Sequence, residues 1–182
     1  MRAIATANLT LEPQTAAHAE EMFAVLSDPA IYAYENAPPP SLDWLRDRFT
    51  KLESRQSADG QQQWLNWVIR LPTSELIGFV QATLHPPGHA LIAYIFSSRY
   101  WGRGLAHQAV EAMLAELAGH YQVHSLSAVL KRDNLRSMRL LERLGFALAT
   151  PDIHLAQQVE PGEALMRNEQ FCCAALSTRG SS

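Results

Sequence analysis

A strand that leads through a glycine-containing loop into a long helix constrains this fold more than any other feature of the sequence. The run 90–96 is rich in apolar and β-branched residues, and residues 105–121 carry an apolar stripe at helical spacing. Gly102 and Gly104 stand in the loop between them, where glycine permits positive φ and close approach of the backbone to a ligand. Free N–H groups at the start of a helix attract anions. The segment therefore predicts an anion site, to which Arg99 and Arg103 can add charge-assisted contacts.

The same glycines would also suit an ordinary strand-to-helix turn, so this segment alone leaves both interpretations open. Two nucleotide motifs are excluded. The chain has no Gly-x-x-x-x-Gly-Lys sequence of a P-loop. The dinucleotide fingerprint needs a third small residue three positions after Gly104, and His107 stands there.

The remaining pattern predicts a mixed, mostly antiparallel sheet of about seven strands flanked by about four helices. Short turns join three strand-like runs at 64–71, 76–84 and 90–96, which favours an antiparallel meander. The helix at 105–121 then connects two strands and resembles a βαβ crossover. Further strands are predicted over 8–13 and 125–131, and a last pair within 148–158 and 164–173. Further helices are predicted after Thr15, after Ser41 and after Asn134, which are suitable N-cap residues.

Composition limits the partners. The 182 residues carry 15 Lys plus Arg against 18 Asp plus Glu, a formal charge of −3, which argues against nucleic acid as a general partner. The adjacent Cys172 and Cys173 cannot build a disulfide framework or a four-ligand metal site, so no metal is expected. The sequence shows no signal peptide and no apolar run that could span a membrane. We expect a cytoplasmic protein with one domain over 1–176 and a disordered tail at 177–182. Whether it forms a homodimer is left open.

Two motifs resemble the GCN5-related N-acetyltransferase (GNAT) family. Residues 101–106 read Trp-Gly-Arg-Gly-Leu-Ala and resemble its acetyl-CoA signature, with Gly104 and Ala106 at the small positions. Trp101 replaces the usual Gln or Arg, as is typical of the branch similar to ribosomal-protein alanine acetyltransferases. The segment 134–146 resembles that branch's Asn-x-x-Ser and Gly-Phe pattern. The resemblance covers roughly residues 8 to 174.

The resemblance implies a GNAT fold that binds acetyl-CoA, releases coenzyme A as product and acetylates an amine-bearing acceptor, either a peptide N-terminus or a small molecule. It places the cofactor in a gap between two splayed strands. The cofactor-binding residues it implies are Ile95, Phe96, Ser97, Trp101, Gly102, Arg103, Gly104, Leu105, Ala106, Asn134 and Ser137. Asn134 can also serve as a plain helix cap, and the two roles are compatible.

The implied reaction is direct attack of a neutral amine on the thioester carbonyl, with a backbone N–H near Phe96 stabilising the oxyanion. Ser137 matches the proton donor of the branch, and it is the one catalytic residue assigned. Leu141 and Leu91 occupy the positions where many members carry a Tyr donor and a Glu base. Other candidates for the base are Glu35, His85, His154 and Glu160, and a chain of water molecules is an alternative to them.

The acceptor is expected between the first two helices and the last strands, where Tyr32, Tyr34, Glu35 and Trp44 offer an aromatic and acidic lining. Helix packing is an equally good explanation for these aromatic side chains. Two other functions stay open at this point. The chain could be an acyl-CoA-binding module that has lost catalysis, because the Glu and Tyr are missing, or a nucleotide-binding regulator.

Overall fold

The computed structural model describes residues 1–34, 37–157, 159–169 and 171. The predicted base Glu35 and the two cysteines lie outside these described residues.

The described residues form one eight-stranded sheet. In spatial order the strands run β1-β2-β3-β4-β5-β6-β8-β7. All neighbours pair antiparallel except β5 and β6, which are parallel and joined by a helical crossover. The strands are Ile4–Ala5 (β1), Thr10–Pro13 (β2), Gln63–Arg70 (β3), Leu76–His85 (β4), His89–Phe96 (β5), Ser125–Lys131 (β6), Ala147–Leu148 (β7) and Glu163–Asn168 (β8).

Helices cover both faces of the sheet. Successive strand residues point to opposite faces, so Trp67 packs with the third and fourth helices, whereas its neighbour Val68 packs with the first and second. Both side chains are fully buried. The α-helices are Ala19–Leu26 (α1), Leu42–Leu52 (α2), Leu105–Tyr121 (α3), Leu135–Arg143 (α4) and Pro151–Ala156 (α5).

Local capping explains where several helices begin. Ser41 accepts a hydrogen bond from the Trp44 N–H at 3.1 Å at the start of α2. The Thr15 N–H donates to His18 Nδ1 at 3.0 Å, so a histidine fills the place that Glu or Gln holds in most capping boxes. A short 3₁₀ turn, Ala16–His18, therefore precedes α1.

The predicted architecture is confirmed, with two corrections. The expected strand within 148–158 is wrong: only Ala147–Leu148 is strand there, and Pro151–Ala156 is helical. Proline is favoured at the first helical position, where no N–H is needed, and the Thr150 carbonyl accepts from the His154 N–H at 3.1 Å. The strand β1 was not predicted, because a two-residue strand has no periodicity to read. Among the described residues, the sheet therefore has eight strands and five α-helices flank it, against about seven and about four expected.

Candidate active site

The sheet opens between β5 and β6. These two strands pair only at His89–Leu91 with Ser125–Ser127 and then diverge. We call the space between residues 92–96 and 128–131 the strand gap. Cavities along the strand gap are lined by Tyr94, Ile95, Phe96, Trp101, Ala106, Asn134, Arg136 and Ser137, among others.

Backbone direction distinguishes three predicted cofactor residues. The Ser97 N–H donates to the Ile77 carbonyl at 2.8 Å. Because backbone groups alternate sides along a strand, Ile95 and Ser97 direct their N–H and C=O groups toward β4. Phe96 directs its own toward the strand gap, where its carbonyl accepts from Trp101 Nε1 at 3.0 Å.

The N-terminus of α3 adjoins the strand gap and has the geometry of an anion site. Gly102 and Gly104 have φ of +77° and +75°, a region that favours glycine. Gly104 is the N-cap residue, no acidic side chain stands in the first helical turn, and the first N–H groups of α3 have no partner within the helix. A Cβ placed on Gly104 would meet no heavy atom within 4 Å, so the space in front of the helix end is open. Leu105 and Ala106 supply the next backbone N–H groups, and this loop therefore suits the pyrophosphate of coenzyme A.

The described cations near this loop include one that the sequence analysis did not name. Arg99 lies 3.5 Å from Glu75, and the Arg103 guanidinium stacks at 5.2 Å from the Tyr100 ring centroid. Sequence reasoning missed Arg136, whose guanidinium lies 3.8 Å from the Trp101 ring centroid and lines the strand gap. The only sequence signal for Arg136 was its position inside the Asn-x-x-Ser motif, where the motif allows any residue.

Asn134 and Ser137 meet at the start of α4. Asn134 Oδ1 accepts from the Ser137 N–H at 3.2 Å, which confirms Asn134 as the N-cap. The cap employs the oxygen of the amide, so the Asn134 Nδ2 group is left to donate into the strand gap that Asn134 lines. Tyr94, also missed, reaches across from β5 and donates to the Ser137 carbonyl at 3.4 Å.

The strand gap contains none of the base candidates whose positions are described. His85 is the last residue of β4 and pairs with His89 at the start of β5, at the end of β5 away from the strand gap. His154 Nε2 accepts from the Leu165 N–H at 3.2 Å, and Glu160 forms a turn before β8. Leu91, which the family resemblance places at the position of the usual Glu, is 37% exposed.

A second cavity lies on the other face of the sheet, between α2, Pro38–Pro40 and the strands β4 and β5. We call it the α2 groove. Tyr32 and Trp44 line it, Tyr34 lines the strand gap, and Tyr32 borders the strand gap as well. Tyr94 and Ile95 line both cavities, so the two spaces meet at these residues.

Asp28 connects the loops that border the two cavities. Its carboxylate accepts from the Ala30 N–H at 2.9 Å and from the Ser98 N–H at 3.3 Å. It also accepts from the Ser98 hydroxyl, which is the main reason that the pKa of Asp28 is lowered. Ala30 lines the strand gap, and Ser98 begins the turn that leads into the glycine loop.

The splayed sheet beside a glycine-capped helix defines a mixed α/β fold in which a cleft between two strands adjoins a helix N-terminus. A family model for the acetyltransferase (GNAT) domain matches residues 8–147. The chain belongs to the GNAT family, and it is an N-acetyltransferase whose cosubstrate is acetyl-CoA.

Relatives agree with this assignment. The chain is 26% identical to the uncharacterized N-acetyltransferase p20 of Bacillus licheniformis over 149 residues, covering 80% of this chain and 83% of that protein. It resembles the ribosomal L7/L12 alpha-N-protein acetyltransferase RimL, solved in complex with coenzyme A, with a TM-score of 0.76 at 16% identity over 93% of this chain and 99% of that one. A GNAT-family acetyltransferase structure from Bordetella pertussis gives a TM-score of 0.70 at 23% identity over 92% of this chain and 99% of that one. At these identities the two structures establish the fold alone.

None of the helices among the described residues is long and apolar enough to cross a membrane. Among the same residues, no group of three or more His, Cys, Asp or Glu side chains is placed to hold a metal ion.

Proposed function

We propose that the chain binds acetyl-CoA along the strand gap and transfers the acetyl group to a primary amine that enters through the α2 groove. The observation that carries this proposal is the continuity of the strand gap with the N-terminus of α3, since a single ligand could occupy both. The meeting of the two cavities at Tyr94 and Ile95 supports an entry path for the amine from the opposite face.

We assign the binding roles as follows. The N–H groups of Gly102, Arg103, Gly104, Leu105 and Ala106 hold the pyrophosphate, and the Arg136 guanidinium stacked on Trp101 adds positive charge beside it. The backbone of Phe96 and the Asn134 amide bind the pantetheine arm. Ile95 and Ser97 support that arm by fixing β5 against β4, since Ser97 donates its N–H to Ile77.

Acetyl-CoA supplies an activated acetyl thioester to this site. The chain's contribution to the chemistry is orientation and proton transfer. The Phe96 N–H, which faces the strand gap, is placed to donate to the carbonyl oxygen as it gains negative charge. The Ser137 hydroxyl donates a proton to the departing sulfur and regains one from water. Water also takes the proton lost by the amine, because the described lining of the strand gap contains no carboxylate.

The Trp101 and Asn-x-x-Ser features favour the branch similar to ribosomal-protein alanine acetyltransferases. The acceptor that this branch implies is a peptide N-terminus, and an aromatic groove that is open to solvent also suits a small amine. We also propose a cytoplasmic location, which is the expectation from the sequence.

A second function is favoured by one observation. The family resemblance places Leu91 where many members carry the Glu base, and an apolar side chain there would suit an acyl-CoA-binding module without catalysis. Thiol release measured with acetyl-CoA and a panel of amines and peptides distinguishes the two. Turnover with any acceptor supports the acetyltransferase, whereas tight acetyl-CoA binding without turnover on any acceptor supports the binding module.

A further inference from the structure

The α2 groove contains a buried amide that lacks a partner. The Gln14 side chain lines the groove and the residue is 4% exposed, and its Nε2 atom has no hydrogen-bond partner among the described residues. Buried polar groups are nearly always hydrogen-bonded in folded proteins. An unpaired N–H donor at the wall of a cavity therefore suggests a ligand that supplies the missing acceptor.

Asn66 repeats this feature on the adjoining strand. It is 5% exposed, and its Nδ2 atom also lacks a partner among the residues described. Asn66 is paired in register with Gln81, which lines the α2 groove, and its carbonyl accepts the Gln14 N–H at 2.9 Å. The sheet thus presents neighbouring amide side chains on the face that borders this groove.

Arg48 adds a positive charge. Of the described residues that line the α2 groove, Arg48 alone carries a charge, and no ion pair with it is formed within the described part of the chain. Arg46 on the same helix differs, because it lies 3.2 Å from Asp43 and 3.8 Å from Glu20. The Arg48 guanidinium lies 5.6 Å from the Trp44 ring centroid, against the aromatic part of the groove.

The rest of the described lining is mostly apolar and aromatic. It includes Pro38–Pro40, Tyr32, Trp44 and Phe79. An apolar body would fill this part of the groove and remove its surface from water. A lining with unpaired donors, one cation and no described carboxylate suits an anionic oxygen, and it gives no advantage to a polycation.

We infer that the acceptor is a primary amine that also carries a carboxylate on an apolar or aromatic body, as an aromatic amino acid does. This inference rests on the proposed function, since it takes the α2 groove as the acceptor site. The carboxylate is bound by Arg48 and the Gln14 amide, and the amine points toward Tyr94 and the strand gap. Charge-assisted contacts of this kind give both affinity and orientation.

The test compares amines that differ only in the carboxylate. Thiol release is measured for the full-length protein with acetyl-CoA and phenylalanine, phenylalaninamide or phenethylamine. A peptide amide with a free N-terminus and one aspartate side chain is included to distinguish a peptide source of the carboxylate. We expect kcat/KM for phenylalanine or for the peptide to exceed that for both neutral-bodied amines by about tenfold or more.

Variants connect the preference to the groove. Arg48→Gln is expected to reduce the ratio of kcat/KM between phenylalanine and phenylalaninamide by about tenfold, with KM for acetyl-CoA unchanged. Arg46→Gln is the matched control, since it removes the same charge from the same helix outside the groove, and the ratio should stay at the wild-type value. Gln14→Leu removes the unpaired amide and should also reduce the ratio. Its folding is checked by circular dichroism, and Arg48→Gln keeps the test decisive if that variant does not fold.

Equal turnover of phenylalanine and phenylalaninamide by the wild type, with no preference for the aspartate peptide over these amines, would overturn the inference, as would equal effects of Arg48→Gln and Arg46→Gln on the preference. Binding of acetyl-CoA without turnover of any of these amines would also overturn it, while leaving the acetyl-CoA site in place. Failure to bind acetyl-CoA at all would instead contradict the proposed function.

Discussion

The backbone and the side chain of Ser137 have separate roles. The backbone N–H belongs to the helix cap, and the hydroxyl is the proposed proton donor. The Ser137 N–H is held by Asn134 Oδ1 at 3.2 Å, which fixes the first turn of α4. Ser137 also lines the strand gap. Removal of the hydroxyl alone therefore leaves the helix cap intact and tests the proposed proton transfer.

Ser137→Ala should lower kcat by about 100-fold, the usual contribution of a positioned general acid, while KM for acetyl-CoA changes by less than about threefold. Ser137→Thr keeps a hydroxyl at this position and should retain more activity than the alanine variant. Steady-state thiol release gives both constants. An alanine variant with wild-type kcat would remove Ser137 from the proposed mechanism.

Another residue-scale pair joins the N-terminal segment to α3. The Arg2 guanidinium donates to both carboxylate oxygens of Glu116, at 3.1 Å to Oε1 and at 2.8 Å and 3.0 Å to Oε2. The Glu116 side chain is only 3% exposed. The Trp67 indole N–H also donates to the Arg2 carbonyl at 3.0 Å. These bonds hold the first strand against α3.

Arg2→Ala should lower the free energy of unfolding, because the Glu116 carboxylate, only 3% exposed, then stays buried without its main partner. Urea unfolding followed by tryptophan fluorescence measures the change. The double variant Arg2→Ala with Glu116→Gln should recover part of the loss, because the unpaired charge is gone. A double variant less stable than the sum of the single changes would contradict this account of the pair.

At the scale of elements, the loop between β5 and α3 combines backbone geometry with open space. Gly104 has positive φ and no heavy atom near a hypothetical Cβ, and Gly60 in the loop before β3 has the same two properties. The two positions carry similar backbone strain, but only Gly104 adjoins the strand gap. This pair therefore separates the cost of strain from the loss of a ligand site.

Gly104→Val should weaken coenzyme A binding by at least about 100-fold, since the side chain would occupy the space of the pyrophosphate. Gly60→Val should fold with a similar loss of stability and bind coenzyme A as the wild type does. Isothermal titration calorimetry measures both affinities. Equal affinities in the two variants would refute the assignment of the α3 N-terminus.

Elements with strong local signals could be predicted from the sequence. The bounds of α3 and β6 match the expected Leu105–Tyr121 and Ser125–Lys131. The prediction failed after β7, where a strand was expected within 148–158 but Pro151 starts a helix. The divergence of β5 from β6 could not be read from local pattern, because it depends on pairing between residues more than 30 positions apart. Its expectation came from the family resemblance.

The candidate site was predictable to a similar extent. Motif positions such as Gly104, Asn134 and Ser137 were found from the sequence, and the structure brings them to one region. Tyr94 and Arg136 were missed, since only the folded chain shows that their side chains reach the strand gap. Gln14 was missed for the same reason, as it lies far in sequence from the other residues of its groove.

At the scale of the whole molecule, a histidine couples stability to pH at the closed end of the β5–β6 pair. His89 Nδ1 and Nε2 lie 3.0 Å from the hydroxyls of Ser125 and Ser127, respectively. Burial lowers the pKa of His89 below its ordinary 6.5, and the charges of His85 and Arg167 add to the effect. His89 is therefore neutral in the folded protein at pH values where the unfolded chain already binds a proton.

Stability should be full above pH 6.5, the ordinary pKa, and should fall as the pH drops below it, because protons then bind the unfolded chain preferentially. His89→Gln should reduce this loss between about pH 7 and about pH 5, and His107→Gln on α3 serves as a surface control. The urea midpoint at the two pH values measures the effect. A His89→Gln variant with the wild-type pH dependence would contradict it.

Amide hydrogen exchange with and without acetyl-CoA tests the central claim, that acetyl-CoA lies along the strand gap and on the N-terminus of α3. The account predicts slower exchange on binding at Phe96 and at residues 102–107, with no change in the loop at 56–61. Protection confined to the α2 groove, or no protection at Phe96 and residues 102–107 at saturating acetyl-CoA, would contradict it.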